Sequence, residues 1–409
     1  MLNKDGQREL AYVVRIDEIK PIPNYDRVEH ARVGGWWVIV KKDQFQVGDP
    51  AIYIEVDSKV PEKEPFMFLE KKHFKVKTQK MCKVISQGLL MHPNDFGWDI
   101  QNDNLGGYVI TTPGVKECFE IGDFLTQKLE ITYAEDSDNK RKAPSADKYK
   151  KMAQRRPDIF RRGWARWMMK RNWGKKVMFL FFGKQKDKKN GWPAWVVKTD
   201  EERCQNMPWL FPGDPKEEWI ATEKIDGTST TFTMKGYGKK REFYICSRNV
   251  VFDKPDKKCF YETNVYTEMA EKYNIESKMR SYLLENPDIS FVCWQGEICA
   301  PGIQKNPHAL KDTHLYLFHM TDSKNGRYDI REAKKIWDHY LMESVPIILE
   351  NYILPDDFEE LKLSADGMYS AQVCEGNICC EREGYVYYKT TDPTFSFKNV
   401  SRNYLLNRG

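Results

Sequence analysis

Apolar residues follow two different rhythms along this chain. Up to about residue 130 they come in short β-branched or alternating runs: Ala11–Ile19, Trp36–Val40 after Gly34-Gly35, and Ala51–Val56 after the turn Val47-Gly48-Asp49-Pro50. Met81–Met91 holds a further strand candidate. Short strands punctuated by Gly, Pro and Asp predict an all-β unit, a barrel or a sandwich, and the pattern does not choose between them. Successive strand residues face opposite ways, so one ring of Trp36-Trp37 is expected in the core and the other outside. From Trp192 onward the chain reads as α+β. Strands are predicted at Trp219–Ala221, Thr228–Met234, Phe243–Cys246, Phe291–Trp294, His314–Phe318 and Tyr385–Tyr388. Helices are predicted at Thr267–Tyr273, Lys278–Glu285 and Ile330–Tyr340.

Between these blocks, residues 136–190 differ. Their first part is polar and charged and reads as a linker. Ile159, Trp164, Trp167, Met168 and Trp173 then alternate with Arg and Lys and suggest a helix with an apolar side. Two readings stand: a connector helix packed on its neighbour, or a basic and aromatic surface that grips phosphates and stacks bases. The expected division is 1–130, 131–191 and 192–409.

Charge sharpens this division. Asp138–Lys176 holds 15 Lys and Arg against three Asp, in a chain whose formal net charge is only +5. The rest is therefore net acidic, and the basic excess points to a polyanionic partner or a solvated tether. The ten cysteines form no CxxC pair, which argues against a zinc knuckle. No apolar run is long enough to span a bilayer, and the first ten residues lack a signal core, so a soluble intracellular protein is expected, with no membrane partner.

The strongest candidate for chemistry is Glu223-Lys224-Ile225-Asp226-Gly227-Thr228, a lysine at a strand end before an acidic Gly turn. An ordinary lysine is protonated at neutral pH, and nearby cations or desolvation would free its lone pair. Asp226 is placed to orient Lys224 or a hydrated metal, and Gly227 permits close backbone approach. Taken alone, so short a motif also fits a surface turn.

The motif is followed in order by Ser247-Arg248-Asn249, Trp294-Gln295-Gly296-Glu297, Tyr316-Leu317-Phe318, Glu383-Gly384-Tyr385-Val386 and Ser396-Phe397-Lys398. This succession resembles the covalent nucleotidyltransferases: DNA ligases, RNA ligases and capping guanylyltransferases. Three features resemble RNA ligases in particular. Lys198–Asn206 (KTDEERCQN) is similar to an element of the ATP-dependent RNA ligases. Only 11 residues follow Lys398, too few for the C-terminal OB domain of a DNA ligase or capping enzyme. Ile19–Glu29 and Ser86–Leu90 resemble the N-terminal OB module of a two-domain RNA ligase group that seals 3′-OH and 5′-phosphate ends.

The resemblance implies an N-terminal OB-type β-barrel and a nucleotidyltransferase domain built on antiparallel sheets with flanking helices. It implies Lys224 as the covalent nucleophile, with Asp226 and Lys398 also catalytic. Nucleotide contacts are expected from Arg203, Glu223, Lys224, Arg248, Glu297, Phe318, Glu383 and Lys398. Asp226, Glu297 and Glu383 are expected to hold Mg²⁺ or Mn²⁺, partly through water, and ATP is the expected nucleotide. The expected substrate is RNA with 3′-OH and 5′-phosphate ends, in a nicked duplex. The terminal motif departs from the family's K-x-K: Ser396 stands two residues before Lys398, so either one lysine is dispensed with or Lys389 substitutes for it. Because every adenylation motif follows Lys198, residues 1–130 are expected to serve RNA binding more than adenylation. The rival readings are a capping-type or DNA-joining nucleotidyltransferase, and a non-catalytic RNA-binding protein.

Overall fold

The computed structural model describes residues 1, 3, 8–102, 108–112, 117–134, 149, 152, 157–160, 162–182, 192–198, 200–210, 217–248, 251–252, 264–375 and 380–408. The fold is α+β, with a β domain first and two larger sheets with flanking helices after it, antiparallel but for the edge strand Glu202–Arg203, which pairs parallel with Asp392–Val400.

In the β domain, Ala11–Arg15 pairs antiparallel with Pro50–Ile54, which is flanked on its other edge by Leu89–Met91. A meander of Glu18–Ile22, Tyr25–Val33 and Trp36–Lys41 forms a second sheet. All five residues of Pro50–Ile54 are buried, because Ile52 and Ile54 join one apolar core while Ala51 and Tyr53 join another. Both faces of this strand are covered, so its alternation does not separate core from solvent. Trp36 is buried and Trp37 only half-buried, the opposed facing expected of neighbours in a strand. Thr132–Tyr133 pairs with Ser58–Lys59, so the domain's strands continue past residue 130.

The segment 136–148 lies outside the described residues. The aromatic part is a small helical unit, Pro157–Phe160, Gly163–Met169 and Asn172–Phe182. It has its own core of Met152, Phe160, Ala165, Met169 and Met178. Trp164, Trp167 and Trp173 are exposed, so these rings are not the packing face of a connector helix.

The C-terminal domain places a five-stranded sheet beside a six-stranded one. The first runs Glu202–Arg203, Asp392–Val400, Gly384–Lys389, Glu218–Lys224, Ile347–Ile353. The second runs Val251–Phe252, Glu242–Ser247, Thr228–Lys235, Phe291–Cys299, His314–Asp322, Gly326–Arg327. Lys224 ends a strand of the first sheet and Thr228 begins a strand of the second, so the Ile225–Gly227 turn bridges the two sheets. Helices Val265–Lys272, Ile275–Glu285 and Ile330–His339 set Met269, Ile275, Met279, Leu283, Ile330 and Trp337 against Phe232, Trp294 and Leu315 in one apolar core. Asn264 and Asp329 start two of these helices by accepting from backbone N–H groups that have no partner within the helix. Among the described residues no helix is long and apolar enough to cross a membrane.

Candidate active site

The lysine-containing strand is paired so that Lys224 stands opposite Gly384. That register sets Glu383 beside Lys224, and the ammonium Nζ donates to Glu383 Oε1 at 2.7 Å. Gly384 has φ of 144°, and a Cβ there would lie 2.1 Å from the carbonyl oxygen of Asn399, so only glycine lets the two strands approach. Gly227 has the same constraint from the Ile298 carbonyl, and its N–H donates to Glu297. Two strands and one turn thus bring three carboxylates, Glu383, Glu297 and Asp226, around one lysine.

The electrostatics of this group are unbalanced. Burial pushes the Lys224 ammonium down, but Glu383, Glu297 and Asp226 more than reverse this, so it stands above its ordinary value. Burial, together with the negative neighbours, pushes the Glu297 carboxyl up to about 8 although Lys224 opposes it. Glu383 Oε2 is buried with no hydrogen-bond partner. Asp226 is buried and accepts from the Tyr404 hydroxyl on the C-terminal helix Arg402–Arg408. Glu223 is buried too, and Ser370 donates to it through its backbone N–H at 3.0 and 3.2 Å and its hydroxyl at 2.7 Å. Among the described residues no three His, Cys, Asp or Glu side chains are set as ligands of a single metal ion.

A cationic group adjoins the carboxylates. Lys398 Nζ donates to Asp200 at 3.1 Å, Arg248 Nη2 donates to the same carboxylate at 3.0 Å, and Arg8 Nε at 3.1 Å. Three cations therefore share one acid, and one of them comes from the β domain. The Lys398 ammonium is lowered to about 8, first by burial and then by Arg8, with Asp200 opposing. Arg203 turns to the β domain, where its Nη2 donates to Asp57 at 2.6 Å, and its Nε and Nη1 have no partner.

Around these ions the two domains share a buried polar seam. Trp36 Nε1 donates to Asn206 at 2.6 Å, Asn206 donates to Glu55 at 2.8 Å, and Arg8 joins Glu55 to Asp200. Phe318 lies at the bulge between the Gln295–His319 and Gly296–Leu317 pairs. A bulge re-aims its extra residue. Phe318 there packs half-buried against the cluster that holds Ile225 and Tyr369.

The residues from Lys224 to Lys398 that the motif order selects are thus gathered about one turn and two sheet edges. Lys389 is not among them. It pairs with Trp219, five residues along the strand from Lys224, and its ammonium meets Glu217 at 2.5 Å. Five strand residues span roughly 16 Å. Ser396, where K-x-K has its first lysine, donates instead to Glu201, which also takes Arg327 at 3.1 Å and His319 at 3.2 Å. Sequence reading quoted Asp200 and Glu201 within a longer run without assigning them roles, and it missed Arg8, Ser370 and Tyr404. Nothing local marks Arg8, whose partner is 192 residues away.

Two sheets that meet at a turn carrying a lysine, with three carboxylates around it and a group of cations nearby, are the arrangement expected of the catalytic domain of a lysine nucleotidyltransferase. Residues 217–401 match the RNA ligase family, and residues 10–93 match an OB-fold domain. The chain therefore carries an RNA ligase domain behind an OB-fold domain. Among curated protein sequences none matches it. Its fold is shared by the RNA ligase of Naegleria gruberi. A ligand-free mutant of that protein superposes with a TM-score of 0.68 at 23% identity over 97% of both chains. A mutant solved with ATP and Mn gives 0.67 at 23% identity, covering 98% of both chains. The structure with PPi also gives 0.67 at 23% identity over 98% of both.

Proposed function

We propose that this protein is an ATP-dependent RNA ligase that joins 3′-OH and 5′-phosphate ends through Lys224. The observation that carries the reading is Lys224 at 25% exposure beside Glu383, Glu297 and Asp226, with the cations Lys398, Arg248 and Arg8 gathered on Asp200. The N. gruberi structures holding ATP with Mn, and PPi, support the choice of nucleotide and leaving group.

In the first step the Lys224 Nζ lone pair forms a bond to the α-phosphorus of ATP, and the bond from that phosphorus to the bridging oxygen breaks. One ammonium proton passes to the hydrogen-bonded Glu383 carboxylate, which frees the lone pair; a second is released to solvent as pyrophosphate leaves, and the product is a phosphoramide. Lys398 and Arg248 face the phosphates as cations, and Asp200 keeps both side chains in place. Such transfers depend on positioning and on stabilising charge spread over phosphate oxygens. An RNA 5′-phosphate oxygen then attacks the same phosphorus, Lys224 leaves, and a 5′-adenylated RNA forms. Finally the 3′-OH attacks the RNA phosphorus and AMP departs with the bonding pair, which closes the phosphodiester. Glu223, fixed by Ser370, and Phe318 at its bulge are proposed to line the adenosine.

The carboxylates fit a divalent cation. One buried oxygen of Glu383 lacks a partner, and Glu383, Glu297 and Asp226 face a single lysine, so the cluster has more acid than one lysine neutralises. Glu383 and Glu297 would hold Mg²⁺ or Mn²⁺ with Asp226 behind them, and waters would complete the shell. Such an ion would neutralise phosphate charge and disfavour the Lys224 ammonium.

The test is incubation with α-labelled ATP or GTP and Mg²⁺, followed by denaturing electrophoresis and by sealing assays on nicked duplexes. ATP label that is retained, acid-labile and lost in Lys224→Ala supports the reading. GTP labelling without ATP labelling assigns a capping-type enzyme instead, and equal sealing of all-DNA nicks a DNA-joining one. Absence of any label leaves a binding protein. Sealing of nicked RNA in preference to free ends would establish the nicked duplex as substrate.

A further inference from the structure

The helical unit between the two domains presents side chains that its own core does not use. Trp164, Trp167 and Trp173 are 49%, 51% and 54% exposed, and Phe181 is 73% exposed. Burying a large ring is favourable, so three half-exposed tryptophans on one small unit mark a contact surface. From Arg162 to Phe182 the chain carries six Lys and Arg and no Asp or Glu. Aromatic and cationic groups are not segregated. Trp173, Lys176 and Leu180 follow helical spacing and are all exposed, which places a cation inside the apolar stripe. The Arg171 guanidinium lies 3.7 Å from the centre of the Trp167 ring, and the Trp167 and Trp173 rings are 6.1 Å apart, edge to face.

This interleaving selects the partner. A helix that lies on a membrane surface keeps its cations on one face and its apolar side chains on the other. A strand of unpaired nucleotides alternates flat bases with phosphates, and its binding surfaces alternate aromatic rings with cations. Bases inside a duplex are already stacked and offer no free faces. We propose that this helical unit binds single-stranded RNA, stacking unpaired bases on Trp164, Trp167 and Trp173 and pairing their phosphates with Arg166, Lys170 and Lys176. The inference rests on the ligase reading, and it adds that the enzyme engages unpaired nucleotides beside the ends it joins.

The experiment uses the full chain with a fluorescein-labelled single-stranded oligouridylate and with a blunt RNA duplex. Replacing all three tryptophans by Ala should weaken single-strand binding by about tenfold for each ring, the equivalent of about 1.4 kcal/mol of stacking. Duplex binding should change by less than about twofold, since backbone contacts carry it. Replacement by Phe keeps a stacking face and should restore most of the affinity. Arg166→Gln with Lys170→Gln should make the salt dependence shallower. Equal losses on single strand and duplex, or no loss, would overturn the proposal. So would binding of phosphatidylserine–phosphatidylcholine vesicles that the Ala variant loses while its RNA binding stays intact. Lysyl-AMP formation by the unaltered chain without RNA tests the ligase reading by itself, so the two failures are distinguishable.

Discussion

Arg8→Met removes one guanidinium and keeps the stem, and it tests whether the OB-fold domain is part of the adenylating machinery. Arg8 is only 9% exposed. It donates to Glu55 at 3.1 Å, to Asp200 at 3.1 and 3.4 Å, and to the Glu201 carbonyl at 3.1 Å. Truncating one partner of a buried pair costs about 3–5 kcal/mol. Asp200 keeps Lys398 and Arg248, and Glu55 keeps Tyr12 and Asn206, so the expected loss is at the low end, about 3 kcal/mol. Lys398 responds as well. Its pKa of about 8 lies below the ordinary 10.5 through burial and Arg8, while Asp200 raises it. Without Arg8 both changes push the pKa up, because a repelling cation is gone and Asp200 is freer to pair with Lys398. If protonated Lys398 holds the α-phosphate, the alkaline fall in lysyl-AMP formation moves to higher pH in the variant. Denaturant unfolding gives the stability term, and α-labelled ATP without RNA gives the pH profile. Unchanged stability with an unchanged profile would refute the coupling. The order of the motifs alone predicts that loss of residues 1–130 spares adenylation more than sealing; the Arg8–Asp200 contact gives the opposing expectation, which this variant tests.

Lys398→Met should abolish labelling while Lys389→Met leaves it intact, since Lys389 pairs with Glu217 at the far end of the strand; equal losses would restore Lys389 as the missing lysine. Gly384→Ala should destabilise the ligase domain by about 2 kcal/mol or more, because φ of 144° and the Asn399 carbonyl both oppose a Cβ, and thermal unfolding measures it. Acid should weaken both the domain seam at Glu55 and the ligase-domain cluster of Arg327, His319 and Ser396 at Glu201. Burial raises the Glu55 and Glu201 carboxyls, but cationic partners bring both down to about 2 from an ordinary 4.5. Depressed carboxyls contribute their full stability above about pH 4.5 and lose it as pH falls toward about 2, each on the order of 3 kcal/mol. A flat stability between those limits would show that these pairs contribute nothing.

Local signals carried the parts of this protein that depend on local chemistry. A nucleophile strand must end where a turn can expose its lysine, so Glu223–Thr228 is recognisable in the chain. Strand register then needs a glycine beside Glu383, and Gly384 stands there. Apolar patterning located the strands of the ligase domain even where both faces are covered, as in Glu218–Lys224 and Gly384–Lys389, whose alternate residues enter two different cores. It located Pro50–Ile54 as well, but could not say which of its residues are core, because all five are buried. It left the tryptophans of residues 164–173 ambiguous, since a ring at helical spacing fits core and surface equally, and only the packing of Phe160, Met169 and Met178 put them outside. Arg8, Ser370 and Tyr404 were invisible, because each meets its acid through tertiary contact across 147 to 192 residues. The charge of a side chain is written in the sequence, but which carboxylate it neutralises depends on distance, and distance is set only when the two domains and both sheets have packed.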